Sequence, residues 1–368
     1  MSAAAHPGTR PLDGIRVLEL ASVAPAPLCA MILADFGAEV IVVERPGGPA
    51  VGLDLAGEHP MFCRGKQRVA ADLKTDTGRG LVEELAAQAD VLVEGYRPGV
   101  LERLGLGPDE LLARNPRLIY TRVTGWGQDG PYATRAGHDI NYIAVAGALA
   151  QVGPGASGEP VPPGTFVGDY GGGTLNAVIG VLLALQARQR TGTGQVVDAA
   201  MVDGAVTLLA GHLELHARGH LQGQGDNPTD GLAPFYGSYR CADGRWYAVG
   251  AIENRFYGSL LTALGLTDIP VSDQMDRARW PATRERIAAA FATRTRDDWE
   301  RVLAEADVCG APVLRIDELT ANEHVAARGS VLPVDGGWDP APAPRLSATP
   351  GWAGPRGPVQ RTATFRPR

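Results

Sequence analysis

The sequence predicts an α/β protein, with an open doubly wound parallel sheet in a larger domain and a smaller α+β domain after it. Three observations carry this prediction. Short apolar runs rich in β-branched residues alternate with helical spacing over the first 124 residues. A hairpin with period-two alternation first appears after residue 235. At 368 residues, the chain is also long for a single core.

The elements follow in order. "GIRVLELAS" (14–22) reads as a buried strand, and "PLCAMILADFGAEV" (27–40) has helical spacing with a glycine stop at Gly37. "VIVVE" (40–44) is a second strand, so the two strands and the helix between them form a βαβ unit. The alternation continues through strand 68–73, helix 78–89, strand 90–96, helix 107–115 and strand 118–124. Residues 175–220 read as two long helices separated by "TGTGQVVD", the first apolar nearly all round. "FYGSYRCADGRWYAVGA" (235–251) is a hairpin with Asp243-Gly244 in its turn. Helical patterns at 253–264, 281–293 and 296–306 follow, and from about Val331 the chain turns Pro/Gly-rich and extended. We therefore expect a large domain at 1–198, a linker helix at 199–230, a small α+β domain at 231–330, and a returning C-terminal segment at 331–368.

Composition narrows the function classes. The chain is 45% hydrophobic and 20% charged, as globular proteins are, and its net charge of −7 argues against a non-specific nucleic-acid binder. The opening "MSAAAHPGTRPLDG" has no apolar core of a signal peptide, and no apolar run reads as long enough to span a membrane. These features predict a cytoplasmic enzyme with no membrane partner. The four cysteines are scattered without a CxxC pair, which excludes a cysteine-based zinc ribbon and gives no disulfide framework.

The motifs exclude before they assign. The first βα turn, "ELASVAPAPLC", lacks the glycines that let backbone approach a pyrophosphate, and no phosphate-loop lysine motif occurs. Arg45, Arg64, Lys66, Lys74 and Arg97 fall at strand ends or in loops, where an open sheet binds ligands and where a guanidinium can grip phosphate. His212, His216 and His220 recur every four residues, but no H-E-x-x-H is present and no metal site is expected. His138 and Asp139 stand at the start of a helical pattern, where free N–H groups could stabilise an oxyanion. Asp169, in "GDYGGG", sits in a flexible turn entering a helix. Read alone, Asp139 and Asp169 fit helix caps, and His138 a loop residue, better than they fit a catalytic site.

An ordered series of motifs decides between these readings. "PLDGIRVLELA", "MILADFGAEVIVVERP", "EGYRPG", "GWGQDGPYATRAGHDINY", "PPGTFVGDYGGG", "GQVVDAAMVDG" and "VGAIENRFY" follow in order from Pro11 to Tyr257, within a likeness that extends from about Leu12 to Arg345. In this the chain resembles the family III CoA-transferase superfamily and, within it, the α-methylacyl-CoA racemase branch. The resemblance implies a Rossmann-like large domain, a smaller domain, an interlocked homodimer and an acyl-CoA substrate. It implies CoA contacts from Arg45 and Arg97, with Arg64, Lys66 and Leu73 around the nucleotide. His138 and Asp169 match the family's two acid/base groups, and Glu253 matches a glutamate that partners the histidine from the other subunit. Asp139 and Tyr142 would position the thioester. No cofactor is implied, because CoA is part of the substrate. The expected activity interconverts (2R)- and (2S)-2-methylacyl-CoA through an enolate. The alternative is CoA transfer between carboxylic acids with Asp169 as nucleophile. Three features depart from the branch: a chain of only five methionines, where the family's acyl surface is methionine-rich, the loop "GDNPTDGLAPFY" (225–236), and "IENRF" (252–256) in place of the usual IEPQF.

Overall fold

The computed structural model describes residues 10–47, 62–153, 158–221, 227–334 and 336–367. It divides into two compact bodies, one of Met1–Ala148, Pro163–Leu209 and Gly329–Arg368, the other of Leu149–Pro162 and Ala210–Arg328.

The first body is built on a seven-stranded sheet in which every neighbouring pair is parallel. Its strands are β1 (Arg16–Leu20), β2 (Glu39–Glu44), β3 (Lys66–Ala70), β4 (Val91–Glu94), β5 (Ile119–Thr124), β6 (Gln195–Ala200) and β12 (Val359–Gln360). They lie in the order β12-β3-β2-β1-β4-β5-β6. The pleat sends alternate residues to opposite faces, which is why these strands read as continuous apolar runs. Val17, Val91, Val93, Ile119 and Val123 join one core with α1 (Ala26–Asp35) and α6 (Asn176–Thr191). Leu18, Leu20, Ile41, Leu92 and Tyr120 join the other with α2 (Asp76–Gln88), α3 (Val100–Arg103) and α4 (Pro108–Arg114). The sheet order reverses between β1 and β4, where doubly wound folds open a ligand crevice beyond the strand ends.

Three expectations are corrected in this body. The polar stretch "TGTGQVVD" is not a separator between helices. It leads into β6, an edge strand whose side chains are largely exposed and which pairs with β5 from Ile119↔Gln195 to Thr124↔Ala200. Asp169 is not in a flexible turn, because Phe166–Leu175 is a ten-residue π-helix running directly into α6. It widens where glycines cluster, and α7 (Met201–Leu208) packs onto it backbone to backbone. A Cβ on Gly204 would lie 2.1 Å from the carbonyl oxygen of Gly172. The joined run Phe166–Thr191, 26 residues, is long and apolar enough to cross a membrane by length and composition. Its Ala177, Val181, Ala184 and Leu185 are packed in the sheet's core, while Leu175, Ile179, Leu182 and Leu183 are exposed.

The C-terminal segment adds the antiparallel hairpin β10 (Val331–Val334) and β11 (Gly337–Pro340), then β12 alongside β3. The second body holds α8 (Ala210–Ala217), β7 (Tyr236–Arg240), β8 (Trp246–Gly250), α9 (Asn254–Ala263), α10 (Trp280–Phe291), α11 (Arg296–Ala304), β9 (Gly310–Pro312) and α12 (Glu323–Arg328). β7, β8 and β9 form an antiparallel sheet with the turn at Asp243-Gly244. Its core is aromatic: Tyr239 and Tyr247 stack on Phe291, which also meets Trp299. The long helix expected after residue 200 is two helices, α7 and α8, broken at Leu209.

Candidate active site

A cavity of about 660 Å³ opens in the first body at the β1/β4 reversal. Its walls come from the chain leaving β1 (Ser22, Val23), leaving β4 (Gly95, Tyr96, Arg97) and at the end of β5 (Val123–Trp126). The loop before α5 (Asp139–Val145), the first turn of the wide helix, Phe62, the start of α1 and Met201 also line it.

Local sequence fixes His138 in this wall. It is the extended N-cap of α5, and its N–H donates to Oδ1 of Asn141 at 3.0 Å. The Tyr142 hydroxyl donates to the Gly137 carbonyl, and its ring lies edge-on to Trp126 with centroids 4.8 Å apart. Gly125 and Gly137 admit that ring, since a Cβ on either would come within 2.1 or 2.6 Å of it. Trp126 also meets Tyr132, over which the Arg135 guanidinium sits 3.8 Å from the ring centre.

Asp169 stands in the first turn of the wide helix, and its N–H donates to Asp139 Oδ2 at 2.7 Å. Its carboxyl is pushed up to about 6, by burial first and then by the negative charge of Asp139, with His138 acting in the opposite sense. The Tyr142 phenol is also raised, by burial and then by Asp169. His138, Asp169, Tyr142 and Arg97 thus share one cavity, although they come from three separate stretches of the chain.

The remaining candidates are placed differently. Asp139 is buried and does not line the cavity. Arg45 is exposed at the end of β2, outside the lining, where its charge lowers the Tyr96 phenol against the larger effect of burial. Leu73 is packed against the second core cluster. Arg64 and Lys66 are corrected as nucleotide contacts. Arg64 grips both oxygens of Asp35 and the Pro340 carbonyl, and Lys66 Nζ is wholly buried between Glu19 Oε2 (2.5 Å) and the Pro27 carbonyl (2.8 Å). Their charges are consumed inside the protein, so neither is left for a phosphate. Glu253 belongs to the second body, exposed at the N-cap of α9, and is not among the cavity residues.

The histidine row does not lie on one helix. α8 ends at Ala217, His216 Nδ1 meets the Leu221 carbonyl, and His220 lies beyond the helix end. Among the described residues no group of three His, Cys, Asp or Glu side chains could hold a metal. In the 225–236 loop, residues 225 and 226 lie outside the described residues. Sequence reasoning passed over Asn141, Trp126 and Arg135. For Asn141 the available signal was its i+3 spacing from a cap residue.

Comparison with known proteins gives the chain a family. The model of CoA-transferase family III matches residues 12–363. An alpha-methylacyl-CoA racemase of Mus musculus is 44% identical over 92% of this chain and 87% of its own. A succinyl-CoA–D-citramalate CoA-transferase of Chloroflexus aurantiacus is 36% identical over 94% of this chain and 91% of its own. The crystal structure of a CAIB/BAIF family protein from Brucella suis superposes with a TM-score of 0.82 at 30% identity, covering 96% of this chain and 97% of that one. With a family match over nearly the whole chain and relatives of this identity and coverage, the chain belongs to CoA-transferase family III.

Proposed function

We propose that this protein is a racemase that interconverts (2R)- and (2S)-2-methylacyl-CoA thioesters by moving the α-proton from one face of the carbon to the other. The observation that carries the proposal is that two acid/base side chains, His138 and Asp169, wall the same cavity, with the carboxyl raised toward neutral pH. The similarity to the mouse racemase supports the substrate class.

The step balances with one proton shared between the two groups. With Asp169 about 6, it is about nine-tenths ionised at pH 7. Asp169 takes the α-proton, the C–H electrons move into the thioester as an enolate, and protonated His138 returns a proton to the opposite face. The reverse reaction starts from the exchanged protonation states. Donors at the start of α5 stabilise the enolate oxygen in this scheme, and the Tyr142 ring, its hydroxyl donating to the Gly137 carbonyl, helps to position the thioester. The thioester itself acidifies the α-proton and no electrons change hands, so the chemistry requires no redox cofactor. Arg97, on the cavity wall, and Arg45, at the end of β2, would meet the CoA phosphates.

The proposal extends to assembly. Glu253 would orient His138 from a second subunit of an interlocked homodimer acting on soluble acyl-CoA in the cytoplasm. The exposed row Leu175, Ile179, Leu182 and Leu183 supports self-association, since an apolar face of this kind is more stable covered.

The test incubates (2R)- and (2S)-2-methylacyl-CoA separately in D2O and follows α-deuterium and stereochemistry. Both enantiomers should converge on one labelled mixture. If no label enters with any of several acyl chains, the proposal falls. A CoA thioester trapped on Asp169 by hydroxylamine or borohydride would instead assign CoA transfer, the activity named for the Chloroflexus relative.

A further inference from the structure

We infer that the Asp139 carboxylate does not touch the thioester but holds Asp169 from behind, fixing its place and supplying a like charge beside it. This makes Asp139 a positioning residue for the acid/base pair, and the inference rests on the racemase proposal only for its kinetic consequence.

Four observations lead here. His138 and Asn141, on either side of Asp139 in α5, line the cavity, whereas Asp139 is 4% exposed and does not. Its Oδ2 accepts the backbone N–H of Asp169 at 2.7 Å, across thirty residues of chain. Residue 168 is a glycine, and a Cβ there would come within 2.6 Å of that same oxygen, so the wide helix is cut to let the carboxylate approach. Finally, Asp139 Oδ1 is buried with no hydrogen-bond partner among the described residues, a costly arrangement that native proteins seldom keep without use.

The surrounding charges are accounted for. Asp169 is acted on by Asp139 and, in the opposite sense, by His138, and Tyr142 shares the same field. The other elements packed on the wide helix are α1, α6, α7, β5 and β6, and their charges are turned elsewhere. Asp35 is bound to Arg64, Arg188 to Asp90, and Arg122 to Glu94 and Glu102, while Asp198 accepts the Gln128 N–H. Arg190 and Asp203 are exposed. Asp139 is therefore the like charge that Asp169 feels. Burial remains the larger cause of its raised carboxyl, and Asp139 adds to it.

The sign follows directly. Racemisation stops on the acid side when a second proton arrives on Asp169. Removing the Asp139 charge lowers the pH at which that happens. Asp139→Asn keeps the size and an acceptor oxygen for the Asp169 N–H but carries no charge. In this variant the acid limb of kcat/KM for α-deuterium exchange should move down by about one pH unit, the scale of one nearby charge. KM for the acyl-CoA should change by less than about threefold. Asp139→Ser, also an acceptor, serves the same comparison if the Asn variant does not fold.

A limb that stays in place while KM rises about tenfold would return Asp139 to the thioester and overturn the inference. A second readout needs no turnover: the 13C carboxyl titration of Asp169 in the wild-type protein and in Asp139→Asn, assigned by its loss in Asp169→Asn. A downward shift in the variant supports the inference even if the wild type exchanges no α-proton and the racemase proposal fails. Identical titrations overturn it whatever the enzyme catalyses.

Discussion

Two groups of charged residues serve one sheet and are treated in opposite ways. At β1–β3, each buried or half-buried carboxylate meets a cation: Glu19 with Lys66 and Asp35 with Arg64 at 2.5 Å, and Glu44 with Arg68 at 2.7 Å. In the cavity region, Asp139 and Asp169 have no Lys or Arg partner among the described residues, and Asp139 adds to the rise that burial causes in the Asp169 carboxyl. Burial raises Glu19 and Asp35 as well, but there Lys66 and Arg64 pull back. The difference separates charge spent on structure from charge kept for chemistry. A cation beside a buried carboxylate opposes the rise that burial causes, whereas beside Asp169 the nearest carboxylate adds to it.

The contrast is broken most forcefully on the paired side. Lys66→Met leaves Glu19 buried without its cation and should cost about 3–5 kcal/mol of stability, measured by denaturant unfolding. Joining it to Glu19→Leu should restore most of that loss, and full activity with unchanged stability in the single variant would mean that Lys66 is not structural. On the unpaired side, His138→Ala and Asp169→Ala should each cut racemisation by at least about a hundredfold while the protein stays folded. Near-normal exchange in either would end the two-group mechanism.

Smaller effects sharpen the same contrast. Arg97 has no ion-pair partner among the described residues and lines the cavity. Arg97→Ala should raise KM for acyl-CoA about tenfold, with kcat nearly kept and the effect shrinking as salt is added. The last prediction concerns stability. The Asp169 carboxyl is raised in the folded state from its ordinary 3.8 to about 6. The folded protein therefore binds the extra proton between those values, and stability falls as pH rises through that window. Asp169→Asn should accordingly stabilise the protein at pH 7.5 by on the order of 1 kcal/mol, a figure discounted for the group's partial exposure, with no gain below about pH 4.

Much of this was legible in residue order. The β-branched runs at 14–22, 40–44, 90–96 and 118–124 announced strands of a parallel sheet, because strands covered on both faces have no polar side to show. β6 escaped notice for the complementary reason: as an edge strand with exposed side chains, "QVVD" carries no apolar run. The wide helix escaped because "GDYGGG" has turn composition, and only its glycine contact with α7 shows that the composition serves close packing. His138 and Asp169 were found by motif order, although nothing in that order placed them in one cavity.

What the sequence determined by itself is the set of local choices: strand and helix periods, cap residues, and the absence of nucleotide and metal motifs. These depend on neighbours a few residues apart, and a chain encodes them directly. Which charges would be paired depends on contacts across the sheet. Lys66 meets Glu19 across 47 residues, and Arg64 meets Asp35 across 29. Five cations at strand ends or in loops were alike in sequence, yet among them the tertiary structure left Arg97 facing the cavity and locked Arg64 and Lys66 inside. Asp139 is the same lesson at one residue's distance from His138. Its backbone position follows from the helix start, but the direction of its carboxylate is set by the Asp169 N–H thirty residues away, which the neighbouring Gly168 lets come close.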